Sequence, residues 1–462
     1  MSALVWFARD LRINDNPALY EACAKNHNGV IGLYLIMPDI WQSHGDANCK
    51  LAFWLENLHC LQQQLQTLNV PLITIECNRS TVNQVFDKLF VDYKITNLYS
   101  HQEIEPDKKA MKNDIQKLCE KHGIHFHLFY QSGILTPGTV LKNDESPYTR
   151  FTPFKKRWWD ILRSEYLCLY KKPKRQEDMK LRSVLHSGWI KRDRCSDASI
   201  HSWPSGEEAA QLRLQNFCKE KVQYYHTQRD HPSLTATSQL SAYLTAGVLS
   251  AKQCLATVMA FPRNKGVDTW INELIWRDFY YHILYFFPHV GKHQPFKHYT
   301  NKLKWSRNKK YFYAWCKGQT GIPIIDAAMR QLNQTGWMHN RLRMVTAMFL
   351  SINLWIDWRW GEHYFMQHLI DGDLALNNGG WQWSALTGAE AGPSFRIFNP
   401  YSQSYRFDAN GDFIRQYCHE LKHLDDKEIH QPPKMINYPQ PMVDVKSTRQ
   451  AAITQFKGKG IH

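Results

Sequence analysis

The hydrophobic pattern of this chain changes once, and that change limits the folds open to it. Over residues 1–130 of the 462, short apolar runs alternate with segments of helical period. Apolar residues from Leu51 to Leu68 recur every three or four positions, as on an amphipathic helix. Strand–helix–strand repetition predicts an α/β domain with a parallel, doubly wound sheet. The runs predicted to be its strands are Ala3–Phe7, Val30–Ile36, Leu72–Ile75, Ile95–Tyr99 and Ile124–Phe129.

Beyond this region the strand signals stop. Residues 131–205 have few regular periods and carry the charged tract Lys171–Arg175, so we interpret them as a connecting segment with a few helices. Residues 206–462 show long helical patterns, which predict a second, all-α domain. One helix is expected over Ile324–Asn333, because Pro323 and Gly336 stand where proline begins and glycine ends a helix.

The charge balance favours a polyanionic partner. A net charge of +15 suits phosphate contacts with counterion release, although a basic, solvated surface explains the charge equally well. The 11 cysteines include no C-x-x-C pair, which predicts neither a disulfide framework nor a cysteine-rich zinc site. Arg9 and Asp10 come too early for a signal peptide, and no apolar window could span a bilayer. We expect a cytoplasmic monomer with no membrane partner.

Three further sequence patterns could each indicate a functional site. No G-x-G-x-x-G follows a predicted strand, which argues against an NAD site at the sheet edge. The stretch Phe154–Trp159 mixes basic and aromatic residues, as nucleic-acid contacts do, but a solvated basic turn over two core tryptophans fits at least as well. His419–His423 is a literal H-E-x-x-H, the zinc-protease pattern, yet its polar surroundings and missing third ligand argue against a metal.

Charged side chains share helical faces with tryptophan in the second domain. Trp270, Glu273 and Arg277 fall on one side of a predicted helix, with Trp276 close to Glu273. A carboxylate between two indoles is costly to bury without a purpose. The alternative, purely structural interpretation of Glu273 is a salt bridge to Arg277.

Two later segments repeat this arrangement. Asp373, Asn377 and Trp381 would stack on one side of a helix, whereas Trp383 would point in nearly the opposite direction. One indole can then face the interior while the other faces a cavity. Between residues 338 and 344, three side chains share one helical face while Arg341 turns elsewhere. The three are Asn340, Arg343 and Met344.

In order and spacing, these segments resemble the flavin domain of DNA photolyases, above all the class I enzymes that split cyclobutane pyrimidine dimers. The likeness is strongest after residue 220 but runs from Trp6–Arg12 to Phe395–Pro400. It implies FAD as cofactor, ultraviolet-damaged DNA as partner and light-driven dimer repair, a carbon–carbon lyase reaction, as activity. The segments that carry it are Thr237–Ser241, Trp270–Arg277, Gly336–Met344 and Asp371–Trp383.

The resemblance also implies which residues bind the flavin. Asn377 would face the flavin N5 and favour the reduced state. The phosphates and the ribityl chain would be held by Tyr225, Thr237, Ser238, Gln239, Leu240 and Ser241, whose hydroxyls and backbone N–H groups suit pyrophosphate. The folded cofactor would further be surrounded by Trp270, Arg277, Asn340, Arg343, Asp371, Gly372 and Asp373.

A second implied set contacts the DNA. Glu273 would act as a neutral acid that donates to a pyrimidine carbonyl, with its pKa raised by apolar neighbours. A flipped-out dimer would regain stacking energy on aromatic side chains. The residues lining its pocket would be Glu273, Trp276, Met344 and Trp383, and those matching positions near DNA phosphates are Arg229, Arg341 and Arg396.

The resemblance implies two further light-dependent features, a chain of tryptophans and an antenna chromophore. Trp381, Trp358 and Trp305 match the chain of indoles that passes an electron from the surface to the oxidised flavin. Family members also often hold an antenna chromophore, methenyltetrahydrofolate or a deazaflavin, on the N-terminal domain. His44 and Lys292 fit the folate type, but the Asn-Glu pair expected for a folate is replaced here. The identity of the antenna chromophore therefore stays undecided. The replacing residues are Asp107 and Lys108.

The rival function within the same fold is a cryptochrome, a light sensor without repair activity. Plant-type sensors tend to have Asp, and animal-type sensors Cys, where this chain has Asn377. Enzymes that repair the (6-4) lesion place histidines at Met338 and near Met344. These differences favour repair of cyclobutane dimers.

Overall fold

The computed structural model describes residues 2–26, 29–162, 167–181, 183, 203–389, 397–434 and 437–457. Its first part holds a five-stranded parallel sheet in the order β3-β2-β1-β4-β5. Val5 of the central strand pairs with Gly32 on one side and Tyr99 on the other. The strands are β1 (Ser2–Phe7), β2 (Val30–Ile36), β3 (Leu72–Glu76), β4 (Ile95–His101) and β5 (His125–Phe129). All five predicted strands are therefore confirmed to within two residues at each end.

Helices cover both faces of this sheet, as expected for buried parallel strands. Leu19 and Leu61 share a core with Val5, whereas Phe86 and Ile115 pack with Leu4 on the opposite face. The sheet is thus doubly wound. The helices are α1 (Pro17–Lys25), α2 (Pro38–Ser43), α3 (Asn48–Gln66), α4 (Val82–Asp92) and α5 (Pro106–His122).

The rest of the described chain is helical, which confirms the predicted all-α part. Pro323 begins one helix and Gly336 ends it with a φ of 68°, a conformation that glycine adopts without strain. No helix of the described ranges is both long and apolar enough to cross a bilayer. The helices are α6 (Phe151–Ile161), α7 (Glu207–Glu220), α8 (Tyr225–Gln228), α9 (Ser241–Ala246), α10 (Ala251–Met259), α11 (Lys265–Phe286), α12 (Lys309–Cys316), α13 (Pro323–Thr335), α14 (Asn340–Met348), α15 (Trp358–Met366), α16 (Leu374–Ser384), α17 (Pro400–Phe407), α18 (Asp412–Tyr417) and α19 (Val445–Lys457), with a π-helix at Phe349–Asn353.

The basic and aromatic stretch of residues 154–159 lies on helix α6, so its interpretation as a turn is wrong. Phe154 and Trp158 are buried one turn apart, while Lys156 and Arg157 stay exposed. The spacing of four residues between the two buried rings is that of an amphipathic helix. Short 3₁₀ helices occur at Val222–Tyr224, Val290–Lys292, His298–Lys302, His419–Leu421 and Glu428–His430.

Asp278 on α11 fixes the segment that connects the sheet to the helices. Its carboxylate accepts hydrogen bonds from the backbone N–H groups of Ile134 and Leu135 and from the Trp158 indole, at 2.8–3.0 Å. Burial raises the pKa of Asp278 to about 6, and the three donors oppose this rise. All the groups involved are buried, so water cannot replace the carboxylate.

We expect Asp278→Ala to lower the free energy of unfolding by about 2–4 kcal/mol, since it leaves three buried donors unsatisfied. Urea unfolding followed by circular dichroism measures this loss. Asp160→Ala, which removes an exposed carboxylate from α6, serves as the control and should change little. Equal stability of the two variants would show that the Asp278 contacts do not anchor the connecting segment.

Candidate functional site

One large cavity, of about 720 Å³, opens among the helices of the second part. This volume falls within the usual range of cofactor sites. Every residue predicted to bind a flavin lines it, together with all four residues predicted to line the dimer pocket. The predicted residues on its wall are Tyr225, Arg229, Thr237, Ser238, Gln239, Leu240, Ser241, Trp270, Glu273, Trp276, Arg277, Asn340, Arg343, Met344, Asp371, Gly372, Asp373, Asn377, Trp381 and Trp383.

Helix α11 supplies the aromatic and acidic side of the wall. Asn264 caps its first turn by accepting from the backbone N–H groups of Gly266 and Val267. Trp276 stacks on Phe151 with the ring centroids 3.6 Å apart and the planes nearly parallel. Since this stack fixes the Trp276 indole before any ligand binds, the cavity offers a preformed aromatic surface.

Glu273 forms an ion pair with Arg229 of the α8 region, so the predicted alternative pair with Arg277 is wrong. Arg277 turns inward instead, where its guanidinium donates to the carbonyl oxygens of Ser132 and Leu244. Burial raises the pKa of Glu273, and the nearby Arg229 lowers it by a smaller amount. The carboxyl therefore stays protonated to a higher pH than an exposed glutamate.

Asp230 links two of the arginines assigned to DNA. Its carboxylate lies 2.7 Å from the Arg341 guanidinium and 3.7 Å from that of Arg229. Arg341 does not line the cavity, in agreement with its predicted orientation, and instead packs over the Phe407 ring. Arg396 lies outside the described residues.

A polar network joins the cavity to the sheet. Arg343 donates to both carboxylate oxygens of Asp371, at 2.8 and 3.1 Å. Asp373 accepts from the Tyr281 hydroxyl at 2.8 Å and from the Arg9 guanidinium at 3.3 Å. Arg9 follows strand β1, so the first part of the chain holds the loop that precedes α16.

Helix α16 carries a polar and aromatic stripe along the cavity. The Asn377 Nδ2 donates to the carbonyl oxygen of Glu362 at 3.0 Å, which leaves the amide oxygen as the group that can accept from a ligand. Gly380 lies between Asn377 and Trp381 on the same wall, and an added Cβ there would meet no atom within 4 Å. A flat ligand could therefore lie directly against the helix.

The indoles assigned to electron transfer run from buried to partly exposed positions. Trp381 lines the cavity and is 2% exposed, with its edge against Trp315 and Phe365. Trp358 is fully buried and does not line the cavity, with the Arg359 guanidinium 4.8 Å from its ring centroid. Trp305 is partly exposed.

Three of the residues considered for an antenna, His44, Asp107 and Lys108, take part in ion pairs. The His44 Nε2 lies 2.6 Å from the Asp107 carboxylate, and Lys108 lies 2.6 Å from Glu105. His44, Asp107 and Glu105 present potential metal-ligand atoms within 4.8 Å of one another. The Glu105 carboxylate, however, already forms ion pairs with Lys108 and Arg9. Lys292 ends the 3₁₀ helix Val290–Lys292.

The H-E-x-x-H motif lacks the geometry of a zinc site. Helix α18 ends at Tyr417, and His419–Leu421 forms a single 3₁₀ turn. His419 and His423 are both exposed. Because two zinc-binding histidines four residues apart must share an α-helical face, this segment cannot present them together.

Some wall residues escaped prediction from sequence. Arg150 lies at the start of α6, far from the recognised segments, and no local pattern marks it. Tyr280 lies one turn beyond Trp276 and stacks with it, so the helical period could have identified it. Trp337 falls inside the segment Gly336–Met344.

The cavity fits FAD in its chemistry. Hydroxyls of Thr237 and Ser238, together with two guanidinium groups, suit a pyrophosphate. Trp381 lines this space, and its buried Nε1 has no hydrogen-bond partner among the described residues. The open face of α16 at Gly380 suits a planar ring system.

Known proteins match the chain over nearly its whole length. A family described as DNA photolyase matches residues 3–178, and the FAD-binding domain of DNA photolyase matches residues 270–458. The deoxyribodipyrimidine photo-lyase of Salmonella typhimurium is 41% identical, with 98% of both chains covered. That of Escherichia coli is 39% identical, also with 98% of both covered.

Solved structures share the fold. A class III photolyase from Agrobacterium tumefaciens superposes with a TM-score of 0.91 at 31% identity, covering 99% of this chain and 98% of the other. A photolyase from Sulfolobus tokodaii with two FAD molecules gives 0.85 at 27% identity, covering 99% and 100%. A Synechocystis cryptochrome gives 0.87 at 25% identity, covering 98% of each chain.

Proposed function

The chain belongs to the DNA photolyase family, and from this membership we propose that it repairs cyclobutane pyrimidine dimers in DNA by light-driven electron transfer. The observation that carries the proposal is a single cavity whose wall combines groups suited to FAD with groups suited to a flipped-out dimer. When bound in its reduced form, FAD supplies the electron that opens the dimer under blue light. Loss of dimers from DNA in blue light, but not in the dark, tests this activity.

Different cofactor-binding residues contact different parts of FAD. The loop Thr237–Ser241 holds the phosphates through hydroxyl and N–H groups, with Tyr225 alongside. Arg343 is held in place by Asp371 and so meets the cofactor in a fixed orientation. The amide oxygen of Asn377, whose Nδ2 donates to Glu362, would accept from the N5–H of a bound reduced flavin and so favour that form.

Dimer binding uses other residues of the same wall. Trp276 and Trp383 stack on the extruded bases, a contact worth roughly 1–3 kcal/mol per base. Arg229 exchanges the Glu273 carboxylate for a DNA phosphate. Glu273, no longer paired with a cation, takes up a proton from water and donates a hydrogen bond to a pyrimidine carbonyl. Met344 fills the apolar space beside the dimer.

Arg341 contributes affinity for DNA without reading the lesion. We expect Arg341→Ala to weaken binding of damaged and undamaged duplexes by similar factors and to reduce the salt slope by about one. Titrations at several salt concentrations measure both effects. Lys25→Ala, which removes an exposed charge from α1, is the control and should leave the slope unchanged. A loss confined to damaged DNA would show that Arg341 reads the lesion. We assign Arg396 the same role of contacting a DNA phosphate.

An oxidised flavin would take one electron from Trp381, which would regain it from Trp358, and Trp358 in turn from Trp305. Trp381 lines the cavity, Trp358 is fully buried away from the cavity wall, and Trp305 is partly exposed, which suits this order. Indoles suit this role because they are among the most easily oxidised side chains. Repair itself does not pass through these three residues, since the reduced flavin reaches the dimer directly.

An antenna chromophore, a folate or a deazaflavin, occupies the first part of the chain near His44 and Lys292 in this proposal. The pairs His44–Asp107 and Lys108–Glu105 would have to open toward its polar atoms. The protein acts as a monomer in the cytoplasm. The absence of any C-x-x-C pair among its cysteines suits a reducing compartment.

A further inference from the structure

An arginine outside the cavity wall holds one residue of the loop assigned to the cofactor phosphates. Arg213 on α7 donates from its guanidinium to the side-chain oxygen of Gln239 at 3.0 Å. Gln239 lies in the middle of the loop Thr237–Ser241 and lines the cavity, whereas Arg213 does not line it. The two residues are 26 positions apart in the chain. The contact therefore joins a charged side chain of another helix to the phosphate-binding part of the wall.

Two aromatic rings hold the Arg213 guanidinium in place. Its Cζ lies 5.0 Å from the centroid of the Trp203 ring and 5.6 Å from that of Tyr243. Both rings are buried and pack edge-on against Phe53 of α3. The Tyr243 hydroxyl donates to the Pro204 carbonyl oxygen at 2.8 Å. Because both rings belong to the core, the guanidinium is positioned before any ligand binds.

The backbone of Gln239 has an uncommon conformation. Its φ is +49°, in the left-handed region that glutamine rarely adopts. Such backbone persists where the surrounding structure fixes it, and it is concentrated at binding sites. Leu240, the next residue, is buried and ties the loop to the core. Since the Gln239 Oε1 accepts from Arg213, the amide N–H groups are the ones that can donate to a ligand in the cavity.

We propose that Arg213 is a positioning residue for the cofactor, which acts through Gln239 on the diphosphate of FAD. The inference rests on the proposed function, in which the loop Thr237–Ser241 holds the phosphates. The guanidinium orients the amide so that its N–H groups can donate to a phosphate oxygen, and the charge-assisted hydrogen bond polarises them. The loop itself contains no cationic side chain, so the charge of Arg213 reaches the phosphates through this amide. Arg213 thereby favours a flavin that carries phosphate groups.

Arg213→Gln tests the role because it removes the charge. Affinities for FAD and for riboflavin, which lacks both phosphates, are measured by flavin fluorescence on the whole chain freed of its flavin. We expect FAD binding to weaken about tenfold, as for the loss of one charge-assisted hydrogen bond, and riboflavin binding to stay within about twofold. Arg213→Lys, which keeps the charge, should recover part of the FAD affinity. Lys219→Gln removes an exposed charge from the same helix and should bind both flavins as the unmodified protein does.

Equal losses for the two flavins would limit Arg213 to supporting the fold, and an unchanged FAD affinity would also overturn the inference. A double-mutant cycle needs only FAD affinities. Gln239→Leu removes the amide, so Arg213→Gln should weaken FAD binding by only about twofold in that background. Losses that simply multiply would show that Arg213 does not act through Gln239. If the unmodified protein itself bound no FAD, the proposed function would fail rather than this inference.

Discussion

Replacing Trp381 with Phe should abolish photoreduction of the oxidised flavin and leave repair by the chemically reduced protein intact. Each ~1.4 kcal/mol added to a barrier slows a step about tenfold, and a phenyl ring is harder to oxidise than an indole by much more than that. We therefore expect the photoreduction rate to fall by at least about 100-fold. The phenyl ring keeps most of the packing against Phe365 and Trp315.

The measurement follows the flavin absorbance under blue light, then repeats the repair assay after reduction with dithionite. Trp383→Phe is the matched control, since it removes an indole from the same helix and the same cavity wall. It should weaken dimer binding and leave photoreduction nearly unchanged. If reduced Trp381→Phe fails to repair DNA, or if it photoreduces at the normal rate, the role assigned to Trp381 is wrong.

Replacing Glu273 with Ala should reduce the repair yield per absorbed photon more than it reduces dimer affinity. The hydrogen bond from Glu273 strengthens as negative charge develops on the dimer, so its loss acts on the chemical step. A hydrogen bond to a charged group contributes about 1.5–3 kcal/mol, which corresponds to a loss of roughly tenfold or more in the splitting rate. An unchanged yield with weaker binding would limit Glu273 to its structural pair with Arg229.

The pH dependence distinguishes the two forms of Glu273. Its pKa is raised above 4.5, so the protonated donor is present below the raised pKa and is lost as the pH rises through it. The yield of the unmodified protein should therefore decline as the pH rises through that range. Glu273→Gln keeps an N–H donor at every pH and should show a flat profile. Identical profiles would show that ionisation of Glu273 does not limit repair.

Sequence patterns predicted the strands and helices because these depend on local periodicity, whereas the resemblance to DNA photolyases supplied most of the residues of the cavity wall. Asn377 and Trp381 lie four residues apart, and their shared helical face follows once the segment is helical. The five strands followed from apolar runs of the right length. Such features need no knowledge of how distant segments meet.

Contacts between distant segments could not be predicted in this way. Glu273 pairs with Arg229, 44 residues away on another helix, whereas the sequence suggested Arg277 one turn along. Arg9 reaches Asp373 across 364 residues. Gln239, which accepts from Arg213, has a positive φ that no propensity favours at glutamine. These features depend on tertiary packing, which a single sequence does not reveal.

One illumination experiment separates repair from light sensing in the same fold. The purified protein, reduced with dithionite, is mixed with an oligonucleotide that carries a single thymine dimer, and the intact thymines are counted by chromatography. Our account predicts catalytic conversion of the dimer in blue light, none in the dark, and a large loss of conversion in Glu273→Ala. If the protein binds FAD and photoreduces normally, yet leaves the dimer intact in the light, it is a light sensor and not a repair enzyme.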